Sequence, residues 1–192
     1  MTIKPTVIWL TGLSGSGKST IANALYDKLK ANGIKTGIVD SDTLRLNTKA
    51  PVGFDIEGRW VAVNRMIYAV KNMIEFQKAE VVIVASISPL IEMRKQARHI
   101  LTSYSQINFI EVFVDTPLEI CEQRDVKGLY KKFRDGVIKN MSGIDSPYEA
   151  DANVEVWLPY KNPYSGELTL DKAVEIIYNT VEQYDKESTT TN

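Results

Sequence analysis

Near the N-terminus, Gly12-Leu13-Ser14-Gly15-Ser16-Gly17-Lys18-Ser19 matches the pattern G-x-x-x-x-G-K-[ST] at every fixed position. The residue types suit the binding of phosphate. Glycines let successive backbone N–H groups turn inward around an anion, and the start of a helix behind them adds positive potential. Lys18 can reach β- and γ-phosphates, the Ser19 hydroxyl can ligate Mg²⁺, and Thr20 follows on the same turn. These residues predict a site for a nucleoside triphosphate with Mg²⁺. No Asn-Lys-x-Asp guanine-reading motif occurs, which argues against a GTPase switch. The loop is silent on what receives the phosphate.

Phosphoryl transfer also needs a metal partner, a group that orients the attacking hydroxyl, and cations to offset charge on the transferred oxygens. The metal's usual carboxylate stands at the end of a neighbouring strand, but the apolar run Val81–Ala85 ends in Ser86 and carries none. Asp40 and Asp42 are the substitutes. Two apart at a strand end, they can face one side, one toward the metal's water shell and one toward the acceptor hydroxyl. Asp42 is the expected catalytic and metal-linked member. The bland alternative is that one of the pair caps a turn or neutralises Arg45.

Between Arg124 and Lys139, six basic residues stand against two acidic ones, a local excess of +4. By composition such a run is a solvated helix face. Interrupting a nucleotide-binding pattern, it also reads as a lid over about residues 125–148 that excludes water and supplies cations, Lys127 among them. Arg45, Phe54 and Arg59 form an acceptor-side set, guanidiniums for anionic groups and a ring for stacking a base. Surface ion pairs and a core phenylalanine are the alternatives. His99 and Cys121 read as ordinary helix residues, and no His/Cys cluster suggests zinc.

Bringing these residues together requires parallel strands whose carboxyl ends converge. Residues 6–10 form an apolar run suited to a buried strand, and a helix follows from Ser19 with Ile21, Ala22, Leu25 and Leu29 on one face. Residues 34–39 predict a second strand, ending at Asp40-Ser41-Asp42. Residues 46–58, broken by Pro51, Gly53 and Gly58, predict a substrate loop, and residues 59–78 a helix with Val63, Ile67, Val70 and Ile74 inward. Val81–Ala85 is the most β-branched run, hence a central parallel strand. Ser88 is then the expected N-cap of a helix with Pro89 in its first turn.

Residues 107–114 predict a further strand, and Thr116-Pro117-Leu118-Glu119 a capping box opening a short helix. Residues 154–158 predict the last strand, residues 170–184 a closing helix and residues 187–192 a disordered tail. The expected fold class is α/β: a three-layer sandwich resembling the P-loop nucleoside triphosphate hydrolases, with a mostly or wholly parallel sheet and a basic lid. One domain, residues 1–186, is expected.

With 24 acidic residues against 23 basic ones, the net charge of −1 points to neither a nucleic-acid nor a membrane partner. A lone Cys121 excludes an intrachain disulfide framework and fits a reducing compartment. Residues 1–5 are too short and polar for a signal peptide, and no apolar run approaches the roughly 20 residues of a membrane span. A cytoplasmic location is the expectation.

Taken together, the motifs resemble the adenylylsulfate kinases, which transfer the γ-phosphate of ATP to the 3′-hydroxyl of adenosine 5′-phosphosulfate. The resemblance runs from Gly12 to about Glu149. It rests on the loop with Thr11, Asp40-Ser41-Asp42 with Arg45, Ile87-Ser88-Pro89, Asp125-Val126-Lys127-Gly128-Leu129-Tyr130-Lys131-Lys132, Gly143-Ile144-Asp145 and Pro147-Tyr148-Glu149. It implies that residues 12–19 hold ATP and Mg²⁺, and that Arg45, Phe54, Arg59, Ile87 and Ser88 line the pocket of a small-molecule nucleotide acceptor. Lys127 would reach in from the lid, and the chain would be a homodimer acting in sulfate assimilation. The serine matching Ser88 is often described as a phosphoserine intermediate. Direct in-line transfer, with Ser88 positioning the acceptor, is the expected alternative, because one bound nucleotide can hand its phosphoryl group to the other.

The departures from the family pattern fall on the acceptor side. The segment Phe-Ser-x-x-Asp-Arg-x-x-Asn-Ile-Arg-Arg reads Phe54-Asp55-Ile56-Glu57-Gly58-Arg59-Trp60-Val61-Ala62-Val63-Asn64-Arg65. Gly58 replaces an aspartate, Ala62 an asparagine that contacts the acceptor, and Asn64 an arginine. Met141 replaces a phenylalanine that can close on the acceptor's adenine, and Ser86 the phenylalanine before Ile87. A lost buried hydrogen bond costs on the order of 1 kcal/mol and a lost stacking ring about 1–3 kcal/mol. A paralogous kinase acting on the ribose hydroxyl of another nucleotide, such as a cytidine diphosphate derivative used in surface-polysaccharide modification, is therefore a second reading. A non-catalytic nucleotide-binding module is a third, opposed by the intact Lys18, Ser19, Asp42 and Lys127.

Overall fold

Along β1 (Thr6–Thr11) every residue is buried, and successive side chains enter different cores: Ile8 and Leu10 one, Val7 and Trp9 the other. A strand of this kind must lie inside a sheet covered on both faces. The computed structural model describes residues 4–46, 53–103, 107–162 and 166–190. In chain order the elements after β1 are α1 (Lys18–Ala31), β2 (Thr36–Asp40), α2 (Ser41–Leu46), α3 (Ile56–Glu75), β3 (Val81–Ala85) and α4 (Ile91–Ser103). Then come β4 (Asn108–Asp115), α5 (Leu118–Arg124), α6 (Leu129–Arg134), β5 (Val156–Pro159), β6 (Lys161–Asn162), β7 (Gly166–Glu167) and α7 (Leu170–Thr190).

The five-stranded sheet has the order β2-β3-β1-β4-β5, with every pairing parallel. Ile21, Leu25 and Leu29 of α1 and Ile177 and Val181 of α7 pack against one face. Val63, Met66 and Val70 of α3 and Met93 and Ala97 of α4 pack against the other. This is the expected three-layer α/β sandwich. The loop after β1 opens between the carboxyl ends of β3 and β4, where parallel sheets place their ligands.

Local differences from the sequence expectation have local causes. Ser88 does not cap α4: its backbone is left-handed at φ 39°, and its hydroxyl bonds elsewhere. The carboxylate of Glu149, distant in sequence, takes the cap and accepts from Ile91 N at 2.7 Å. The capping box at Thr116 does not form either. α5 starts after Pro117 without a side-chain cap, because the Thr116 hydroxyl donates to Ser16 O at 2.9 Å.

Of the expected substrate loop, residues 47–52 lie outside the described residues. Its flanks are helical, in α2 and in the start of α3, which Asp55 caps by accepting from Gly58 N at 2.7 Å. Helix α7 extends to Thr190, past the expected start of the tail.

Candidate active site

Each candidate residue stands at the end of a strand or on the segment that covers it. Gly12 begins the loop at φ 145°, and a Cβ there would lie 2.6 Å from Val114 O on β4, so glycine is required twice over. Lys18, at the start of α1, is buried at 8% exposure. Its ammonium donates to Gly12 O at 3.0 Å, Leu13 O at 2.7 Å and Ser16 Oγ at 3.3 Å. Burial, reinforced by the nearby Lys127 charge, lowers its pKa to about 8.

From the sequence alone Asp42 is the favoured metal-side carboxylate. In the structure it is Asp40 that meets the loop hydroxyl: Ser19 Oγ donates to Asp40 Oδ2 at 2.8 Å. The other oxygen of Asp40 accepts from Asp42 N at 2.9 Å and Thr43 N at 3.3 Å, so Asp40 also starts α2. Asp42 is half exposed and ion-paired with Lys127. Among the described residues no cluster of three His, Cys, Asp or Glu side chains could cage a metal. A hydroxyl beside one carboxylate fits Mg²⁺, which keeps several waters and takes much of its shell from bound phosphates.

The basic run divides by function. Lys131 pairs with Asp135, and Arg134 with Glu122, on exposed faces. Arg124 instead donates to Gly15 O at 3.2 Å, and it lines a cavity with Lys127, Gly17, Lys18 and Ser19. The segment that carries them is better packed than its composition implies. Cys121, Tyr130 and Met141 form a small core of their own, and Tyr130 donates from its hydroxyl to Ser14 O at 2.9 Å. Burial raises the Cys121 thiol and the Tyr130 phenol above their ordinary values. The sequence reading counts Arg124 in the basic run and Tyr130 in the family motif but gives neither a place beside the loop, where the structure puts both. Their signal is weak, since a tyrosine in a charged helix resembles any amphipathic residue.

Two adjoining cavities result. The larger, about 520 Å³, is that of the loop. The smaller, about 70 Å³, is lined by Arg59, Ala62, Ser86, Ser88, Lys139 and Met141, among others. Ser14, Asp42, Arg45, Phe54 and Ile87 belong to the walls of both. Arg45 stacks its guanidinium 4.7 Å from the centre of the Phe54 ring and donates to Gly53 O at 3.2 Å. Arg59, itself buried, donates to Phe54 O at 2.8 Å and to Asn140 O, tying α3 to the covering segment. The predicted acceptor residues are thus brought together, with Arg45 and Phe54 shared between the cavities rather than confined to one.

The turn after β3 is pinned from below. Thr11 Oγ1 donates to Ile87 O at 2.6 Å and lies 3.0 Å from Tyr148 Oη, and burial pushes that phenol up to about 12. Arg94 donates to Ser88 O at 2.8 Å and to the buried carboxylate of Glu111 at 2.6 Å. His99 is exposed, 3.2 Å from Ser103 Oγ and outside the site.

Three of the five family departures line the smaller cavity: Ala62, Ser86 and Met141. The other two have structural causes. A Cβ on Gly58 would collide with the Gly53 carbonyl, and Asn64 accepts from Gln96 at 3.0 Å.

Comparison with known proteins agrees with this geometry. The family model described as adenylylsulphate kinase matches residues 4–159. An adenylyl-sulfate kinase of Clostridium acetobutylicum is 42% identical over 183 residues, covering 94% of this chain and 85% of the relative. One of Microcystis aeruginosa is 46% identical over 149 residues, 78% of each chain. Among solved structures, a Mycobacterium tuberculosis APS kinase in complex with AMPPNP and APS superposes with a TM-score of 0.82 at 36% identity, covering 94% of this chain and 99% of its own.

Proposed function

The chain belongs to the adenylylsulfate kinase family, and on that footing we propose that it transfers the γ-phosphate of ATP to the 3′-hydroxyl of adenosine 5′-phosphosulfate. The observation that carries this reading is the common wall. Asp42 and Ile87 border both cavities, so two nucleotides bound side by side would meet at the Asp42 carboxylate. Proximity of this kind supplies much of the rate in phosphoryl transfer.

Each group then has a task. The loop N–H groups and Lys18 hold the β- and γ-phosphates, with Arg124 and Lys127 on the covering side. Ser19 and Asp40 would hold Mg²⁺, which neutralises phosphate charge when bound. Asp42 accepts the proton of the acceptor hydroxyl as its oxygen attacks the γ-phosphorus. The bond from that phosphorus to the bridging oxygen breaks, and ADP leaves. Lys127 aligns Asp42 through their ion pair and faces the transferred oxygens. Ser88 fits the direct route: it is 3% exposed, and its hydroxyl already accepts from Trp9 and donates to Ser86. A hydroxyl so engaged is a poor nucleophile.

We take the protein to be one cytoplasmic domain assembling as a homodimer. The exposed Tyr68 of α3 and Phe76 just past its end offer apolar surface for that contact, and light scattering would read the mass. Among the described residues no helix is long and apolar enough to cross a membrane.

A paralogous acceptor is a second reading, favoured by Ala62, Ser86 and Met141 at the acceptor cavity. One assay separates the two. ATP and Mg²⁺ are offered with adenylylsulfate and, separately, with cytidine, uridine and guanosine diphosphate derivatives. Turnover of adenylylsulfate is the expected result. None, beside turnover of another nucleotide, overturns the acceptor and keeps the chemistry; none with any acceptor supports a non-catalytic module.

A further inference from the structure

Hydrogen-bond direction determines what Ser86 has to offer. The Trp9 indole N–H can only donate, and it does so to Ser88 Oγ at 3.2 Å. Ser88 spends its single proton on Ser86 Oγ at 3.1 Å. Ser86 therefore receives a bond and retains its own O–H proton, for which the described residues provide no acceptor. Its side chain is 5% exposed and forms part of the acceptor cavity wall. A buried donor is costly to leave unpaired, so the proton is aimed at whatever fills that cavity.

The donor is also preorganised. Left-handed backbone at Ser88 brings two hydroxyls separated by one residue into line, and bonds from Thr11 to Ile87 O and from Arg94 to Ser88 O hold the turn. Ala62, Val63, Met66 and Met141 give the same cavity an apolar lining suited to the faces of a base, while Arg45 and Arg59 serve anionic groups.

We propose that Ser86 is a specificity-determining residue whose hydroxyl donates to a ring-nitrogen or carbonyl lone pair on the base of the acceptor nucleotide. The proposal rests on the reading that this cavity takes the acceptor. It makes the Trp9–Ser88–Ser86 chain a directed relay from the core to the base edge, with Ser88 as the positioning residue.

The test compares wild type, Ser86→Ala and Ser86→Thr on adenylylsulfate and on deaza forms of its adenine, each lacking one ring nitrogen. Ser86→Ala is expected to raise the acceptor KM about tenfold and to leave the ATP KM unchanged, with Ser86→Thr restoring it. One deaza form should show the same rise with wild type and no further rise with Ser86→Ala. An unchanged acceptor KM, or an equal penalty for every analogue, overturns the proposal. The wild-type analogue series reads the bond without any substitution, so a variant that fails to fold does not block the test. If wild type turns over a different nucleotide instead, the acceptor reading fails, and Ser86 is judged on that nucleotide's own base analogues.

Discussion

Lys18 shows how one residue couples charge to ligand binding. Its ammonium is buried among carbonyls of its own loop, and its pKa falls to about 8 from the ordinary lysine value of 10.5. Between those values the unfolded chain holds a proton that the folded chain lacks, so this group makes stability rise with pH through that window. Nucleotide binding has the opposite sign. A triphosphate beside Lys18 favours the charged form, so binding above about pH 8 takes up a proton, and ATP affinity declines as pH rises further. Calorimetric titration in buffers of different ionisation enthalpy should show proton uptake approaching one at pH 9 to 10, abolished by Lys18→Ala. The paired carboxylates carry a residue-scale lesson too: the sequence favours Asp42 over Asp40, and in the structure their partners distinguish them, Ser19 for Asp40 and Lys127 for Asp42.

At the scale of elements, the segment from α5 through α6 to Met141 is a packed cover rather than a bare charged loop. Its small core seats Tyr130 against Ser14, and its start places Lys127 over Asp42. Lys127→Ala leaves that core intact. It should lower kcat on the order of a hundredfold, as for loss of one transition-state donor, with ATP binding changed far less; equal losses in single-turnover rate and ATP affinity would remove the proposed role. The same cover leaves the smaller cavity, the proposed acceptor pocket, at about 70 Å³, well below the roughly 300 Å³ and more of ligand pockets. If this cavity takes the acceptor, as proposed, residues 138–142 are expected to shift when it enters, releasing the Arg59 bond to Asn140 O. Hydrogen exchange at these amides should quicken on acceptor binding without the donor and slow when both nucleotides are present.

The whole molecule is joined through Arg94. From α4 it pairs with Glu111 of β4, holds the turn after β3 through Ser88 O, and reaches Glu149 O at 2.7 Å, where the covering segment returns. Both members of the ion pair are buried, at 1% and 7% side-chain exposure. Arg94→Met leaves the buried Glu111 carboxylate with only the Arg98 guanidinium 3.6 Å away and should cost up to about 3–5 kcal/mol, seen as a lower urea midpoint with an unchanged slope. Acceptor KM should rise along with it, because the same guanidinium fixes the turn that carries Ser86 and Ser88. The paired change Arg94→Met with Glu111→Leu should recover stability and leave the acceptor defect.

The phosphate loop, the parallel strands and the helical faces were determined by the sequence itself, because each is a local pattern: a fixed spacing, a β-branched run, a period near 3.6. The donor site follows from such patterns, since residues 12–19 carry it in one stretch. Local signals failed where a distant group competed for the same atoms. Thr116 gives up its cap to bond Ser16, Ser88 gives up its cap to Trp9 and Ser86, and Glu149 takes over the start of α4. The acceptor-side residues could be named by resemblance, but that they share one cavity was decided by tertiary structure, because its walls come from the loop, α2, α3, the turn after β3 and the covering segment, far apart in the sequence. Only when the fold brings them together does a replaced side chain such as Ser86 become the end of a directed hydrogen-bond chain.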